Sequence, residues 1–371
     1  MAKDSPAAPA VQVGLGPDGQ LPLPWLGDAL ARAGTLAGAH ALLLHGPAGT
    51  GHLELALLVA QATLCEGRPA DADAGGYRPC GRCASCHLVA TRVHPDLMLV
   101  LPDALRVQLG WVDDEDSRLN KSDAKPSKDL RVEQVRQAIA WTQQTSGRGR
   151  GKVLVLHPAD ALNGPAANAL LKTLEEPPGT VRLLLTSADP ERLLPTVRSR
   201  CQRLPLALPP LPQAADWLRA QGLADPGPLL ALAGGSPLAA LALAADGIGP
   251  AWLAELPRRV AAGDAGALAG RPIPQVVDLL LKLAHDAQLQ TVGVAPRFFA
   301  GAAWPGPADP AALRDWQQAL RRAARFDEHP WNAGLLVEAL LAQAATVWPP
   351  AAPAARPGPA ARGGASLHSP R

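Results

Sequence analysis

The sequence predicts an α/β domain on a doubly wound, mainly parallel sheet, followed by an all-α second half. Three observations carry that prediction. Short apolar runs alternate with helical stretches as far as about Leu208. One of those runs leads directly into a glycine loop. From Leu204 onward Ala and Leu, both strong helix formers, dominate the composition. The chain has 371 residues, enough for two or three domains, and 47% of them are apolar, enough for cores of that number.

Residues 1–24 are rich in Pro, Gly and Ala and read as a flexible N-terminal arm. Residues 41–45 are a short apolar run that reads as a buried strand, and residues 53–64 have helical spacing. Strand, glycine loop and helix in that order open a nucleotide-type α/β fold. Residues 95–101, 152–156 and 181–186 are further candidate strands. Leu130, Val132, Val135 and Ile139 mark one face of a helix, and residues 165–176 form another, stopped by Pro177 and Pro178. Residues 113–129 are polar and charged, an exposed insertion. The expected organisation is an α/β domain over 25–208 with a cysteine module at 65–86, a small helical lid over 209–245, a second helical block over 246–348, and a disordered tail over 349–371.

The glycine loop is Gly46-Pro47-Ala48-Gly49-Thr50-Gly51. A phosphate-binding loop needs glycines so that backbone N–H groups can wrap an anion. It also needs a Lys to reach the β- and γ-phosphates and a Ser or Thr to hold magnesium. Gly46, Gly49 and Gly51 have the spacing, but the Lys position is His52 and the Ser/Thr position is Leu53. A largely neutral imidazole lacks the lysine's point charge, and Leu53 cannot ligate a metal. Just past the run 152–156 an NTPase carries an Asp and then usually a Glu, for magnesium and the attacking water. Here those positions are His157 and Pro158, and Asp160 comes too late for either. Two independent losses point to an ancestral nucleotide site without its chemistry, so no bound ATP is expected. Taken alone, the loop reads equally as a tight strand-to-helix turn.

Cys80, Cys83 and Cys86 are spaced three apart, and Cys65 lies fifteen residues before the first of them. Four thiolates with no open position make a structural zinc site, with free or redox-active thiols as the alternative. His87 could substitute for a ligand, but its place directly after Cys86 disfavours it. The fifth cysteine, Cys201, reads as a small core residue. An odd cysteine count with four clustered, in a chain whose first 24 residues lack a basic stretch followed by an apolar run, argues against a disulfide framework. No apolar run reaches the length of a membrane span. The expectation is a cytoplasmic protein with no membrane partner. A net charge of +2 excludes holding nucleic acid by bulk charge alone.

Residues 168–178 read Asn-Ala-Leu-Leu-Lys-Thr-Leu-Glu-Glu-Pro-Pro. Leu170, Leu171 and Leu174 would form the buried face of a helix, with Lys172 and Glu176 spaced to pair. That account explains a helix but not this string. The string closely resembles the corresponding helix of bacterial DNA polymerase III clamp-loader subunits, members of the AAA+ family. Thr196-Val197-Arg198-Ser199-Arg200-Cys201 is similar to that family's Ser-Arg-Cys motif, and the inserted four-cysteine module matches as well. His94-Pro95-Asp96 and the helix around residues 132–136 match more weakly. The resemblance spans about residues 23–342 and is most specific over 41–201.

The resemblance implies a RecA-like AAA+ domain with a lid, and a C-terminal collar shared with related subunits. The altered loop and the missing acidic pair look like a non-motor subunit rather than the gamma/tau motor. So does Leu238, where the motor subunits carry a nucleotide-sensing Arg. Carried over by resemblance, Arg200 becomes an arginine finger acting in trans, with Ser199 and Cys201 as motif neighbours. The implied partners are gamma/tau and delta clamp-loader subunits, with the sliding clamp and primed DNA reached through the complex. Residues 331–341 would fit a collar helix, or equally a plain core helix. Two other readings are a gamma/tau-like ATPase with an unusual loop, and a zinc-dependent DNA-binding protein. The few arginines near the cysteines, Arg68, Arg78, Arg82 and Arg92, are thin for groove reading.

Overall fold

A computed structural model describes residues 11–16, 18–67, 77–112, 125–325 and 332–348. The chain divides into two compact units, residues 1–250 and 251–371. Most of the insertion expected at 113–129, the tail from 349, and Trp331 fall outside the described residues.

Among the described residues the first unit is built on five parallel strands: β1 (Ala41–His45), β2 (Leu97–Val100), β3 (Lys152–Leu156), β4 (Val181–Ser187) and β5 (Gln202–Pro205). Their order across the sheet is β2-β3-β4-β1-β5, all parallel. Strands β3 and β4 are buried throughout, which is why they read as unbroken apolar runs rather than alternating ones. Successive residues of β1 still face opposite layers. Leu42 and Leu44 pack into one core with Val153, Val155 and Leu184. Ala41 and Leu43 pack into the other with Leu154, Leu183 and Leu185.

Helices cover both faces. On one side lie α1 (Gly27–Thr35) and α2 (His52–Leu64), the latter buried at every residue but Thr63. The segment between β1 and β3 adds α3 (Ala84–Ala90) and α4 (Asp103–Gln108). On the second side α5 (Val132–Thr142) and α6 (Gly164–Glu175) bury Val135, Ala138, Leu170 and Leu174. A short α7 (Pro195–Arg198) leads into β5. In a parallel sheet with helical crossovers, all strands end at one edge, and the loops there are where such folds bind ligands. The glycine loop, His157 and Ser187 all leave the sheet at that edge.

Three features differ from the sequence-based expectations. Strand β5 was not foreseen. Among the described residues it is an edge strand pairing only with β1, and only Leu204 of its four residues is buried. The arm is not loose where it is described: Leu15 and Leu23 are buried, and the Leu15 N–H donates to Gln61 Oε1 at 2.8 Å. Its first ten residues lie outside the described set. Among the described ion pairs none joins Lys172 to Glu176; it is Glu175 that pairs, with Arg200.

The segment expected as a lid folds as α8 (Leu211–Ala220), α9 (Gly227–Leu232) and α10 (Pro237–Ala245), each with a Pro in its first turn, where the missing N–H is harmless. The second unit is helical, as expected: α11 (Pro250–Ala261, starting at the boundary), α12 (Ile273–Thr291), α13 (Pro310–Arg325) and α14 (Ala333–Val347). Buried Asp286 of α12 anchors the following segment by accepting from the N–H groups of Arg297, Phe298 and Phe299 at 2.7–2.9 Å. Among the described residues no single helix is long and apolar enough to cross a membrane.

Candidate functional site

The glycine loop connects β1 to α2 and has the backbone its sequence requires. Gly49 and Gly51 adopt φ of +73° and +96°, which side-chain-bearing residues rarely tolerate. Thr50 Oγ1 donates to the Pro47 carbonyl at 2.9 Å, and the Trp25 indole N–H donates to the Thr50 carbonyl at 2.9 Å. The loop is closely covered. A Cβ at Gly46 would collide with the Leu206 carbonyl, and one at Gly49 with Ser236 Oγ at the start of α10. Leu238, the second residue of that helix, packs against the core.

The two residues after the loop turn inward. Leu53 is 4% exposed and packs with Leu57 and Leu101, backed by Leu99, Leu105 and Trp111. His52 is 7% exposed, with Nδ1 3.5 Å from Thr50 Oγ1 and Nε2 buried without a hydrogen-bond partner. Burial lowers its pKa to about 4, outweighing the opposing charge of Asp160. At the end of β3, His157 Nδ1 lies 2.7 Å from Thr186 Oγ1, and burial together with His52 takes its pKa to about 3. Both rings are therefore neutral at pH 7. The positions expected to carry the fixed cation and the first carboxylate of a nucleotide site are thus held by two uncharged rings. Asp160, set aside in the sequence as too late in the chain, comes near enough to act on His52, and its Oδ1 is buried without a partner.

The four cysteines predicted as one cluster do converge. Cys65 caps the C-terminus of α2, Cys80 lies on the turn before α3, Cys83 caps the N-terminus of α3, and Cys86 sits in its first turn. All four Sγ atoms lie within 4.8 Å of one another, with Cys65–Cys83 at 4.0 Å and Cys80–Cys86 at 3.9 Å. Bonds of about 2.3 Å to a central tetrahedral ion would set the sulfurs about 3.8 Å apart. The thiols therefore fit one metal ion, and His87 is not part of the group. Backbone N–H groups of Cys80, Cys83 and Cys86 donate to Cys65, Cys80 and Cys83 sulfurs at 3.3–3.4 Å. Burial opposes the thiolate at Cys83, but amide donors overcome it and hold the pKa at about 6. Burial pushes the Cys65 and Cys86 thiols up.

This module is tied to the sheet domain by several contacts. Gln61 of α2 donates to the Cys86 carbonyl at 3.1 Å, Ser85 Oγ meets His94 Nε2 at 3.0 Å, and Arg148 pairs with Glu66 at 2.6 Å. Buried Asp96 holds the Arg148 loop by accepting from Gly147 N, Arg148 N and Ser146 Oγ at 2.7–2.9 Å. The His94–Asp96 motif thus braces the module.

Arg200 follows α7 and stands just before β5. Because β5 runs parallel to β1, with Leu42 opposite Gln202 and His45 opposite Pro205, Arg200 lies at the sheet edge opposite to its own glycine loop. Its Nε donates to Glu175 Oε1 at 2.8 Å, Nη2 donates to the same oxygen, and Nη1 donates to the Thr196 carbonyl at 2.9 Å. The side chain remains 34% exposed. Its neighbours differ in role. Ser199 is exposed and donates to the Thr196 carbonyl, while Cys201 is buried, donates to the Val197 carbonyl, and has its thiol pushed up to about 12 by burial. Cys201 is thus a core residue, as its isolation in the sequence suggested. Arg198 is separately tethered to Glu191. Glu175 was missed as the partner of Arg200 because the two are 25 positions apart and no local spacing links them.

The profile of a family described as DNA polymerase III, delta subunit, matches residues 31–210. The DNA polymerase III subunit delta' of Pseudomonas aeruginosa is 36% identical over 334 residues, covering 83% of this chain and 92% of that protein. The subunit delta' of Escherichia coli is 35% identical over 209 residues, 56% of this chain and 54% of the relative. Among solved structures, a DNA polymerase III gamma subunit-related protein from Thermotoga maritima superimposes with a TM-score of 0.44 at 15% identity, covering 87% of this chain and 99% of the other. With a strand–glycine loop–helix core, an inserted four-cysteine module and 36% identity along nearly the whole of a delta' protein, this chain belongs to the DNA polymerase III delta' family.

Proposed function

We propose that this chain is a stator of the DNA polymerase III clamp loader: a subunit that neither binds nor hydrolyses ATP but supports ATP-dependent loading of the sliding clamp onto primed DNA. The observation that carries this reading is the burial of His52 and Leu53 at the two positions that should meet phosphate and magnesium. A neutral ring and an aliphatic side chain folded into the core leave the glycine loop a structural turn. Its partners are gamma/tau and delta subunits, with the second unit contributing to a shared collar.

Arg200 serves in trans. It lies at the far sheet edge from its own loop, where a neighbouring subunit's nucleotide can approach, and a guanidinium beside a γ-phosphate offsets the charge that builds in the transition state. The metal is zinc, since four sulfurs and no open position suit a closed structural site. Zinc then stiffens the module and takes no part in chemistry.

The test is the DNA- and clamp-stimulated ATPase of the reconstituted loader carrying this chain or its Arg200→Ala variant, after equal assembly is shown. A clear loss of rate supports the stator acting in trans, and an unchanged rate removes Arg200 from the chemistry. ATP titrated onto the isolated chain should give neither binding nor hydrolysis, and turnover there would restore a motor-type ATPase. Metal analysis should find one zinc per chain.

A further inference from the structure

We infer that Glu175 is a latch for Arg200, holding its guanidinium against the chain's own α6 until a neighbouring subunit's triphosphate displaces it. This rests on the reading of Arg200 as a residue that acts in trans.

The geometry is specific. Nε–H and one Nη2–H form the fork with which a guanidinium grips a carboxylate or phosphate. In this chain both point at a single oxygen, Glu175 Oε1. The remaining nitrogen, Nη1, is held by the Thr196 carbonyl at 2.9 Å and Ser199 Oγ at 3.4 Å. All three nitrogens thus have partners within the chain, and the gripping edge faces inward. An arginine poised for a neighbour's phosphate would present that edge outward. Glu175 ends α6 and Arg200 follows α7, so the latch joins the clamp-loader-like helix to the Ser-Arg-Cys turn. Arg198, two residues away, has its own carboxylate at Glu191 and does not compete for Glu175.

The strength of the pair suits exchange. With side chains 34% and 49% exposed, it is screened by water and biases the arginine by about fivefold at most. A triphosphate, carrying more negative charge, can take the fork from it. If Glu175 stayed in place during the reaction, its carboxylate would cancel part of the charge that Arg200 brings. Glu175 is therefore a positioning residue whose release turns the arginine outward.

The experiment uses the reconstituted loader with Glu175→Gln, Arg200→Ala and the double variant, each shown to assemble like the parent by size-exclusion chromatography. Gln keeps the shape and removes the charge. Without clamp or DNA, Glu175→Gln should raise kcat for ATP by about two- to fivefold, leaving KM unchanged because the neighbour's own loop binds the nucleotide. That increase should vanish in the Arg200→Ala background. A lowered or unchanged kcat with Glu175→Gln, while Arg200→Ala reduces the rate, overturns the latch and leaves the trans arginine standing. A rate indifferent to Arg200→Ala overturns both.

Discussion

His52 and Cys65 occupy the two ends of one buried helix: α2 starts at His52, directly after the glycine loop, and is capped at its other end by the first thiol of the cysteine cluster. Thirteen residues, about 20 Å of helix, separate the glycine loop from the cluster of four thiols that could hold a metal ion. Gln61, in the last turn, ties the same helix to both the Cys86 carbonyl and the Leu15 N–H. A metal ion bound by these thiols would therefore fix the end of the central helix of one layer. Stripping it with a chelator should lower the melting temperature by at least about 5 °C, the shift for a loss of roughly 2 kcal/mol in a domain of this size. Added zinc should restore it. A thermal melt unchanged after complete metal removal would show that the cluster does not support the fold.

The inward-turned histidines make stability depend on pH. Both have folded pKa values below the ordinary 6.5, at about 4 for His52 and about 3 for His157, with burial as the first cause. Below pH 6.5 the unfolded chain takes up protons that the folded chain refuses, so acid favours unfolding. The contribution is complete above pH 6.5 and is lost as pH falls toward those folded values. Between pH 7 and 5 each histidine should account for about 2 kcal/mol of lost stability. Urea denaturation at the two pH values checks this: His52→Gln and His157→Gln should each shrink the loss by about that amount. Equal losses in parent and variants would contradict the buried neutral state.

Much of this architecture is readable from the residues, and the exceptions have physical causes. Strands β3 and β4 are buried on both sides and so announce themselves as apolar runs. Strand β5 exposes Gln202 and Arg203 at the sheet edge, so its apolar signal is a single Leu204. The cysteine cluster is legible because three of its members are local, at spacings a turn and a helix start can close. The partner of Arg200 is not, because helix spacing directs attention to Lys172 and Glu176, while the actual pairing to Glu175 depends on how α6 and α7 meet. The covering of the glycine loop by Ser236 is likewise a contact across the fold that no local pattern encodes.

Gly49 and Gly19 separate backbone strain from crowding. Both adopt left-handed φ, +73° and +75°. A Cβ at Gly19 meets nothing within 4 Å among the described residues, whereas at Gly49 it collides with Ser236 Oγ and lies 3.0 Å from the Ala239 N. Gly19→Ala should therefore cost about 1–2 kcal/mol, the left-handed strain alone. Gly49→Ala should cost about 3 kcal/mol or more, because α10 must also move off the loop. Denaturant midpoints rank the two, and faster proteolysis of the segment 209–212 in Gly49→Ala would report the displaced lid. Equal costs would mean that the lid yields freely at this contact.

Asp96 reaches the cysteine module through a loop. Burial alone would raise its pKa, but the N–H groups of Gly147 and Arg148 and the Ser146 hydroxyl hold it below the ordinary carboxylate value. Arg148, positioned by that loop, pairs with Glu66, the residue directly after Cys65. Asp96→Asn replaces one acceptor oxygen with an NH2 group that faces donors, so it should cost about 1–3 kcal/mol. It should also speed release of zinc to a chromogenic chelator, because Glu66 loses its anchor. Arg148→Ala separates the two effects: the Arg148–Glu66 pair is partly exposed, so global stability should change by less than about 1 kcal/mol, while zinc release is still accelerated. If Asp96→Asn destabilises the protein and zinc leaves no faster in either variant, the module is held by Gln61 and the His94–Ser85 contact rather than through this loop.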